Sequence, residues 1–140
     1  MQYEKLIEKA IAAKKLAYTP YSGFKVGAAL LAESGEVFIG CNIENAAYSP
    51  TNCAERTAFF TAVANGVMKF SAVAIVGGMG DDLGKNCFPC GVCRQVMMEF
   101  CTPNFKIIIA QSPTNYTIYT LLDLLPNGFG STNLSYNKQH

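Results

Sequence analysis

The chain has 140 residues, which fits one domain whose hydrophobic core is large enough to fold without disulfides. Half of the residues are apolar and 15% are charged, against about 25% in typical soluble domains, so we expect other subunits to cover part of the surface. The net charge is +1 and the nine lysines are scattered, which argues against nucleic acid as a partner and favours a small-molecule substrate.

The amino-terminal residues predict neither export nor membrane insertion. They carry charge throughout and lack the apolar core of a signal peptide. No apolar run in the chain approaches the roughly 20 residues of a membrane helix. We therefore expect a cytoplasmic protein, and in that reducing compartment clustered cysteines bind metals or act in catalysis more often than they form disulfides.

The first part of the chain predicts a helix followed by a β-hairpin. Apolar residues recur at three- and four-residue steps over 4–17, as they do in an amphipathic helix. Two short apolar runs, 25–33 and 36–41, flank a Ser-Gly pair, which indicates two strands joined by a tight turn. A long polar loop follows at 42–52.

The second part predicts two units in which a buried helix leads into an apolar strand. In chain order these are a helix over 53–65, a strand over 71–77, a helix over 91–101 and a strand over 105–110. The glycine-rich stretch 77–86 lacks the Lys-Ser/Thr pair of a phosphate-binding loop. The pattern over 117–125 fits either a strand or a helix.

This order of elements predicts an α/β fold with one mixed central β-sheet sandwiched between helices. At least one pair of strands should be parallel, because a helix connects the later strands. With neither a repeat nor a linker, we expect a single domain over 1–140, in which 131–140 form a polar peripheral tail.

Three of the six cysteines, Cys87, Cys90 and Cys93, fall at equal intervals in the segment NCFPCGVCRQ. Pro89 favours a helix that begins near it, since proline suits a first helical turn. Cys90 and Cys93 would then share one side of that helix, with Cβ atoms about 5 to 6 Å apart. This geometry favours them as a pair of zinc ligands over the alternative pair Cys87 and Cys90.

A third ligand is best sought among the other cysteines. The sole histidine, His140, lies in the polar tail, and Cys41 and Cys101 occupy positions typical of buried thiols. Cys53 differs because it opens a predicted helix, where the helix dipole favours the thiolate that binds metal. The same argument applies to Cys90.

The two arginines of the chain, Arg56 and Arg94, each lie within three positions of a proposed ligand. Arginine is always charged and donates hydrogen bonds in a fixed geometry, so both could temper the negative charge of the thiolates. The alternative is that both are ordinary surface residues.

Glu55 lies two residues after Cys53, close to the predicted metal but too constrained to be an obvious ligand. Three protein ligands leave a fourth position for a water of lowered pKa, which is typical of a catalytic zinc. Glu55 could take a proton from that water. The alternative is a structural zinc with Cys87 as its fourth ligand.

The pattern Cys53-Ala54-Glu55 followed by Pro89-Cys90-x-x-Cys93 resembles the signature of the zinc-dependent nucleobase deaminases. More of the chain, from about residue 6 to 129, is similar to the small homotetrameric cytidine deaminases. The similar segments, in the same order and at similar spacing, are YSGFKVGAALL, GCNIENAAYS, NCAERTAFF, PCGVCRQVM and LLPNGF.

The resemblance implies a cytidine deaminase-like fold and a hydrolase of pyrimidine salvage. Cytidine and deoxycytidine would be converted to uridine and deoxyuridine with release of ammonia. One Zn²⁺ per subunit would be held by Cys53, Cys90 and Cys93, and Glu55 would move protons. The implied assembly is a homotetramer whose sites are completed by neighbouring subunits.

The resemblance also assigns substrate contacts. Phe24 would line the base pocket, and the backbone amide of Ala54 would contact the pyrimidine carbonyl. Asn42 and Glu44 would bind the ribose hydroxyls, which is consistent with residues two apart in an extended segment pointing the same way. The residues that would reach into a neighbouring subunit's site are Tyr48 and Phe129.

The sequence departs from the family in three places. Phe88 replaces a common serine, stretch 77–86 is longer than usual, and Asn127-Gly128 replaces the usual Gly-Ala.

The sequence also leaves other functions open. One alternative function is that of a blasticidin S-type deaminase, and another is that of a structural zinc module that binds a protein. A deaminase acting on nucleic acid would need a basic track that the chain lacks.

Overall fold

The computed structural model describes residues 2–134, in which helices alternate with strands. The helices are α1 (Glu4–Lys14), α2 (Ala54–Ala64), α3 (Gly91–Phe100) and α4 (Leu121–Leu124), with a 3₁₀ turn at Ser131–Leu134. The strands are β1 (Phe24–Ala32), β2 (Val37–Cys41), β3 (Phe70–Met79), β4 (Lys106–Ser112) and β5 (Asn115–Thr120). No helix of this part of the chain is long and apolar enough to cross a membrane.

The five strands form one mixed sheet in the order β2-β1-β3-β4-β5. β3 and β4 are parallel and the other neighbours are antiparallel. Each face of the sheet has its own apolar cluster, one with residues of α1 and the other with residues of α2 and α3. The predicted α/β fold, with a mixed sheet between helices and a parallel pair, is confirmed.

Two glycines allow helices to approach the sheet closely. A Cβ on Gly27 of β1 would lie 2.0 Å from the carbonyl oxygen of Ala10, and one on Gly40 of β2 would lie 2.3 Å from that of Ala54. Any other residue would push the helices away, since real Cβ atoms do not come this near to backbone. The start of α2 is therefore fixed against the end of β2.

The boundaries of β3 and α3 bear on the cysteine-containing segment. β3 continues to Met79, so the first residues of the glycine-rich stretch belong to the sheet. Helix α3 begins at Gly91, the first residue of the predicted helix over 91–101. Cys90 has extended backbone angles and acts as the N-cap, its sulfur accepting a hydrogen bond from the Cys93 amide.

The ambiguous segment 117–125 contains both a strand and a helix. β5 ends at Thr120, which begins α4 through a reciprocal capping box with Asp123. Ser131–Leu134, the first part of the predicted polar tail, forms the 3₁₀ turn. The rest of that tail, including His140, lies outside the described residues.

Candidate active site

Three cysteine sulfurs meet where two helices begin. The Sγ atoms of Cys53, Cys90 and Cys93 all lie within 4.8 Å of one another. Cys53 is the N-cap of α2 and Cys90 is the N-cap of α3, while Cys93 lies in the first turn of α3. Both helices thus direct their positive ends toward the sulfurs, as an anionic centre requires.

The spacing of these sulfurs fits a tetrahedral metal. The Sγ atoms of Cys53 and Cys90 are 3.6 Å apart, too far for a disulfide bond of about 2.05 Å. Two thiolates on one tetrahedral zinc, each at about 2.3 Å, would be about 3.8 Å apart. Three sulfurs in this arrangement are a donor set that suits Zn²⁺.

Arg56 lies against this cluster, where its Nη2 donates a hydrogen bond of 3.3 Å to Cys53 Sγ. Hydrogen bonds from Cys93 and then from Arg56 lower the pKa of Cys53 to about 5, despite its burial. The hydrogen bond to Cys53, followed by burial, raises the pKa of the Cys93 thiol. The buried Nε of Arg56 lacks a hydrogen-bond partner among the described residues.

Glu55 is the buried carboxyl group of the site. It lies in the first turn of α2, directly after Ala54, and is only 3% exposed. Burial, with a smaller effect from the charge of Cys53, raises the pKa of Glu55 to about 7. Such a carboxyl group can both accept and release a proton near neutral pH.

Arg94 does not share the role of Arg56. Its Nε donates to the carbonyl oxygen of Pro89 at 2.8 Å, and its Nη1 donates to that of Leu124 at 2.6 Å. These hydrogen bonds fix the turn before Cys90 against the end of α4. The prediction that both arginines temper the thiolates therefore needs correction, since the hydrogen bonds of Arg94 go to backbone carbonyls instead.

Cys87 stands apart from the three-sulfur cluster. It is half-buried, and burial, reinforced by the charges of Glu55 and Cys53, raises the pKa of its thiol to about 12. A Cβ on Gly77 would lie 2.8 Å from Cys87 Sγ and 3.3 Å from the ring of Phe24. Cys87 thus packs against Gly77 beside the site. Cys41 and Cys101, which the sequence predicted to be buried in the core, are both half-buried.

Phe24, Asn42 and Glu44 lie close together at the start of β1. Asn42 Nδ2 donates to the carbonyl oxygen of Phe24 and Asn42 Oδ1 accepts from the amide of Val26, both at 2.9 Å. The Glu44 carboxylate accepts from the amide and the hydroxyl of Ser22, and the hydroxyl lowers the pKa of Glu44. Ser22 was not among the predicted site residues, although it lies only two residues before Phe24 in the sequence.

Ala54, Tyr48 and Phe129 differ strongly in exposure. Ala54 is fully buried as the first residue of α2, where backbone amides have no partner within the helix. Tyr48 is 75% exposed with a positive φ of 64°, and Phe129 is 59% exposed. Large aromatic side chains in water are typical of surfaces that other molecules cover.

Comparison with known proteins agrees with this geometry. Residues 1–109 match the family described as "Cytidine and deoxycytidylate deaminase zinc-binding region". The chain is 49% identical to a cytidine deaminase of Sporosarcina psychrophila and 43% identical to one of Halalkalibacterium halodurans. The alignments cover 97% of both chains in the first case, and 96% of this chain and 99% of the relative in the second.

Solved structures give the same result. The crystal structure of cytidine deaminase from Burkholderia pseudomallei has a TM-score of 0.83 and is 46% identical, covering 92% of this chain and 100% of that one. That of the Mycobacterium tuberculosis enzyme has a TM-score of 0.80 at 37% identity, covering 93% and 98%. With its fold, its three-cysteine cluster and these relatives, the chain belongs to the cytidine and deoxycytidylate deaminase family of zinc-dependent hydrolases.

Proposed function

We propose that this chain converts cytidine and deoxycytidine to uridine and deoxyuridine, with water as the second substrate and ammonia as the second product. The observation that carries the proposal is the buried carboxyl group of Glu55 beside three convergent cysteine sulfurs. The names of the relatives, which are cytidine deaminases, support the choice of substrate.

Cys53, Cys90 and Cys93 would hold one Zn²⁺ per subunit. Three sulfur ligands leave one tetrahedral position open, and zinc with an open position acts as a Lewis acid that makes the attacking water more acidic. Arg56 supports this arrangement because its hydrogen bond, after that from Cys93, lowers the pKa of Cys53.

Glu55 would carry the protons of the reaction. It takes one from the attacking water, whose oxygen forms a bond to C4 of the cytosine ring, and passes it to N3. It then takes the second proton of that oxygen and gives it to the amine, which leaves as ammonia when the C4–N bond breaks. A carboxyl group with a pKa of about 7 suits both the base and the acid role.

The remaining residues would bind the nucleoside. Phe24 would pack against the base, and the Ala54 amide would donate to the pyrimidine carbonyl. Asn42 and Glu44 would bind the sugar hydroxyls. Glu44 favours a nucleoside without phosphate, because two negative charges at the sugar would repel each other.

We also propose that the active form is a cytoplasmic homotetramer of single-domain chains. Tyr48 and Phe129 would extend into a neighbouring subunit's site, which is supported by their exposure. Other large apolar side chains are more than 40% exposed and would be covered by the same contacts. Among them are Tyr21, Ile39, Phe60, Val92 and Leu122.

The decisive assay combines zinc content with ammonia release. The purified chain is expected to contain one zinc per subunit and to release ammonia from cytidine and deoxycytidine. Blasticidin S, which carries the same cytosine ring, is assayed in parallel. Bound zinc without turnover of any of these substrates would contradict the proposal and favour a structural zinc module.

A further inference from the structure

Ser22 connects the side chain of Glu44 to the backbone of Phe24, two residues that would bind opposite ends of the nucleoside. Its hydroxyl donates a hydrogen bond to Glu44 Oε2 and accepts one of 3.0 Å from the Phe24 amide. Glu44 would contact the sugar, whereas Phe24 would contact the base. One small side chain therefore lies between the two recognition elements.

The Glu44 carboxylate is held by three donors. In addition to the Ser22 hydroxyl, Oε1 accepts from the backbone amides of Tyr21 at 3.0 Å and Ser22 at 3.2 Å. A carboxylate offers about four lone-pair sites, so about one remains for a sugar hydroxyl. The side chain is thus oriented before substrate arrives, and little rotamer entropy is lost on binding.

The Phe24 backbone is held from both sides. Its amide donates to the Ser22 hydroxyl, and its carbonyl oxygen accepts from Asn42 Nδ2 at 2.9 Å. Asn42 is the other candidate for the sugar. The placement of Phe24 therefore depends on Asn42, which would contact the ribose, and on Ser22, which holds Glu44.

We propose that Ser22 is a positioning residue that orients Glu44 toward the sugar and couples sugar binding to the placement of Phe24. This role rests on the proposed deaminase function. The Ser22 hydroxyl need not touch the substrate, because it acts through the carboxylate of Glu44. Hydrogen bonds to a carboxylate are stronger than those between neutral groups, so the loss of one of three is large enough to measure.

The first test is Ser22→Ala in the zinc-loaded enzyme. We expect KM for cytidine and Kd for the product uridine to rise about tenfold, which corresponds to about 1.4 kcal/mol. The value of kcat should stay within about twofold, since uniform binding is lost rather than an interaction with the transition state. Ser22→Thr keeps the hydroxyl and should restore most of the affinity.

A matched control comes from the other end of β1. Ser34 is also exposed and its hydroxyl donates to a glutamate, Glu36, at 3.4 Å. Ser34→Ala should leave KM, Kd and kcat unchanged. Zinc content and thermal unfolding of all three serine variants should equal those of the wild type, because each position is exposed.

A double-mutant cycle with Glu44→Ala separates positioning from a general structural effect. If Ser22 acts through Glu44, adding Ser22→Ala to Glu44→Ala should raise KM and Kd by less than threefold. The positioning role would be overturned if Ser22→Ala raised KM and Kd tenfold in the Glu44→Ala background as well, or if Ser22→Ala alone kept wild-type affinity. Either result would leave the deaminase function intact. Zinc-loaded wild type that turns over no cytosine nucleoside would instead refute the proposed function and this role with it.

Discussion

The site has two halves that are built differently. The metal half depends on the starts of two helices, which bring Cys53, Cys90 and Cys93 together from short local patterns. The second half, which we propose binds the sugar and call the sugar half, depends on hydrogen bonds between a turn, a strand and a loop, joined through Ser22, Asn42 and Glu44. Side chains at helix starts can therefore be proposed as metal ligands from local patterns, whereas side chains joined by hydrogen bonds between segments distant in sequence cannot be identified in that way.

Removing a metal ligand should produce the largest effect and would show whether the metal half works as one unit. Cys53→Ala leaves two sulfurs and removes the partner of Arg56. We expect zinc content near zero after dialysis and no detectable ammonia release. The measurements are metal analysis by mass spectrometry and the ammonia assay, and full zinc retention would exclude Cys53 as a ligand.

Glu55→Gln separates chemistry from metal binding within that half. The amide keeps the size of the side chain but cannot take a proton, so kcat should fall about 10²- to 10⁴-fold. Zinc content should remain at the wild-type level. Steady-state kinetics together with metal analysis decide this, and an active variant would remove Glu55 from the mechanism.

Asn42→Ala tests the sugar half through both function and fold. The variant loses the hydrogen bonds to Phe24 and Val26, so we expect the free energy of unfolding to drop by about 1 to 2 kcal/mol. KM for cytidine should rise at least tenfold with zinc content unchanged. Urea unfolding and kinetics measure the two effects, and a change in zinc content would mean that the halves are not separable.

Cys87→Ser should have the smallest effect, and it tests whether the metal half includes a fourth sulfur ligand. Cys87 packs against Gly77 and takes no part in the three-sulfur cluster. The serine variant should keep full zinc and a kcat within about twofold of the wild type. Metal analysis would reveal a fourth ligand if zinc content fell.

Local periodicity predicted the mixed sheet and its three longer helices, whereas β5 and α4 stayed ambiguous. The three-sulfur cluster was predicted from cysteines at helix starts and from the family resemblance. The start of α3 at Gly91 was predicted, whereas its cap, in which the Cys90 sulfur accepts a hydrogen bond from the Cys93 amide, was not. Arg94 could not be placed, since its partner Leu124 lies 30 residues away. Ser22 was missed for the same reason, as its carboxylate partner lies beyond the whole hairpin.

The proposed zinc coordination is tested most directly by zinc K-edge X-ray absorption on the purified chain. The central claim is that Cys53, Cys90 and Cys93 hold the metal and leave one position for chemistry. We expect three sulfur ligands at about 2.3 Å and one lighter ligand at about 2.0 to 2.1 Å. Four sulfur ligands would contradict it and would indicate a closed, structural zinc.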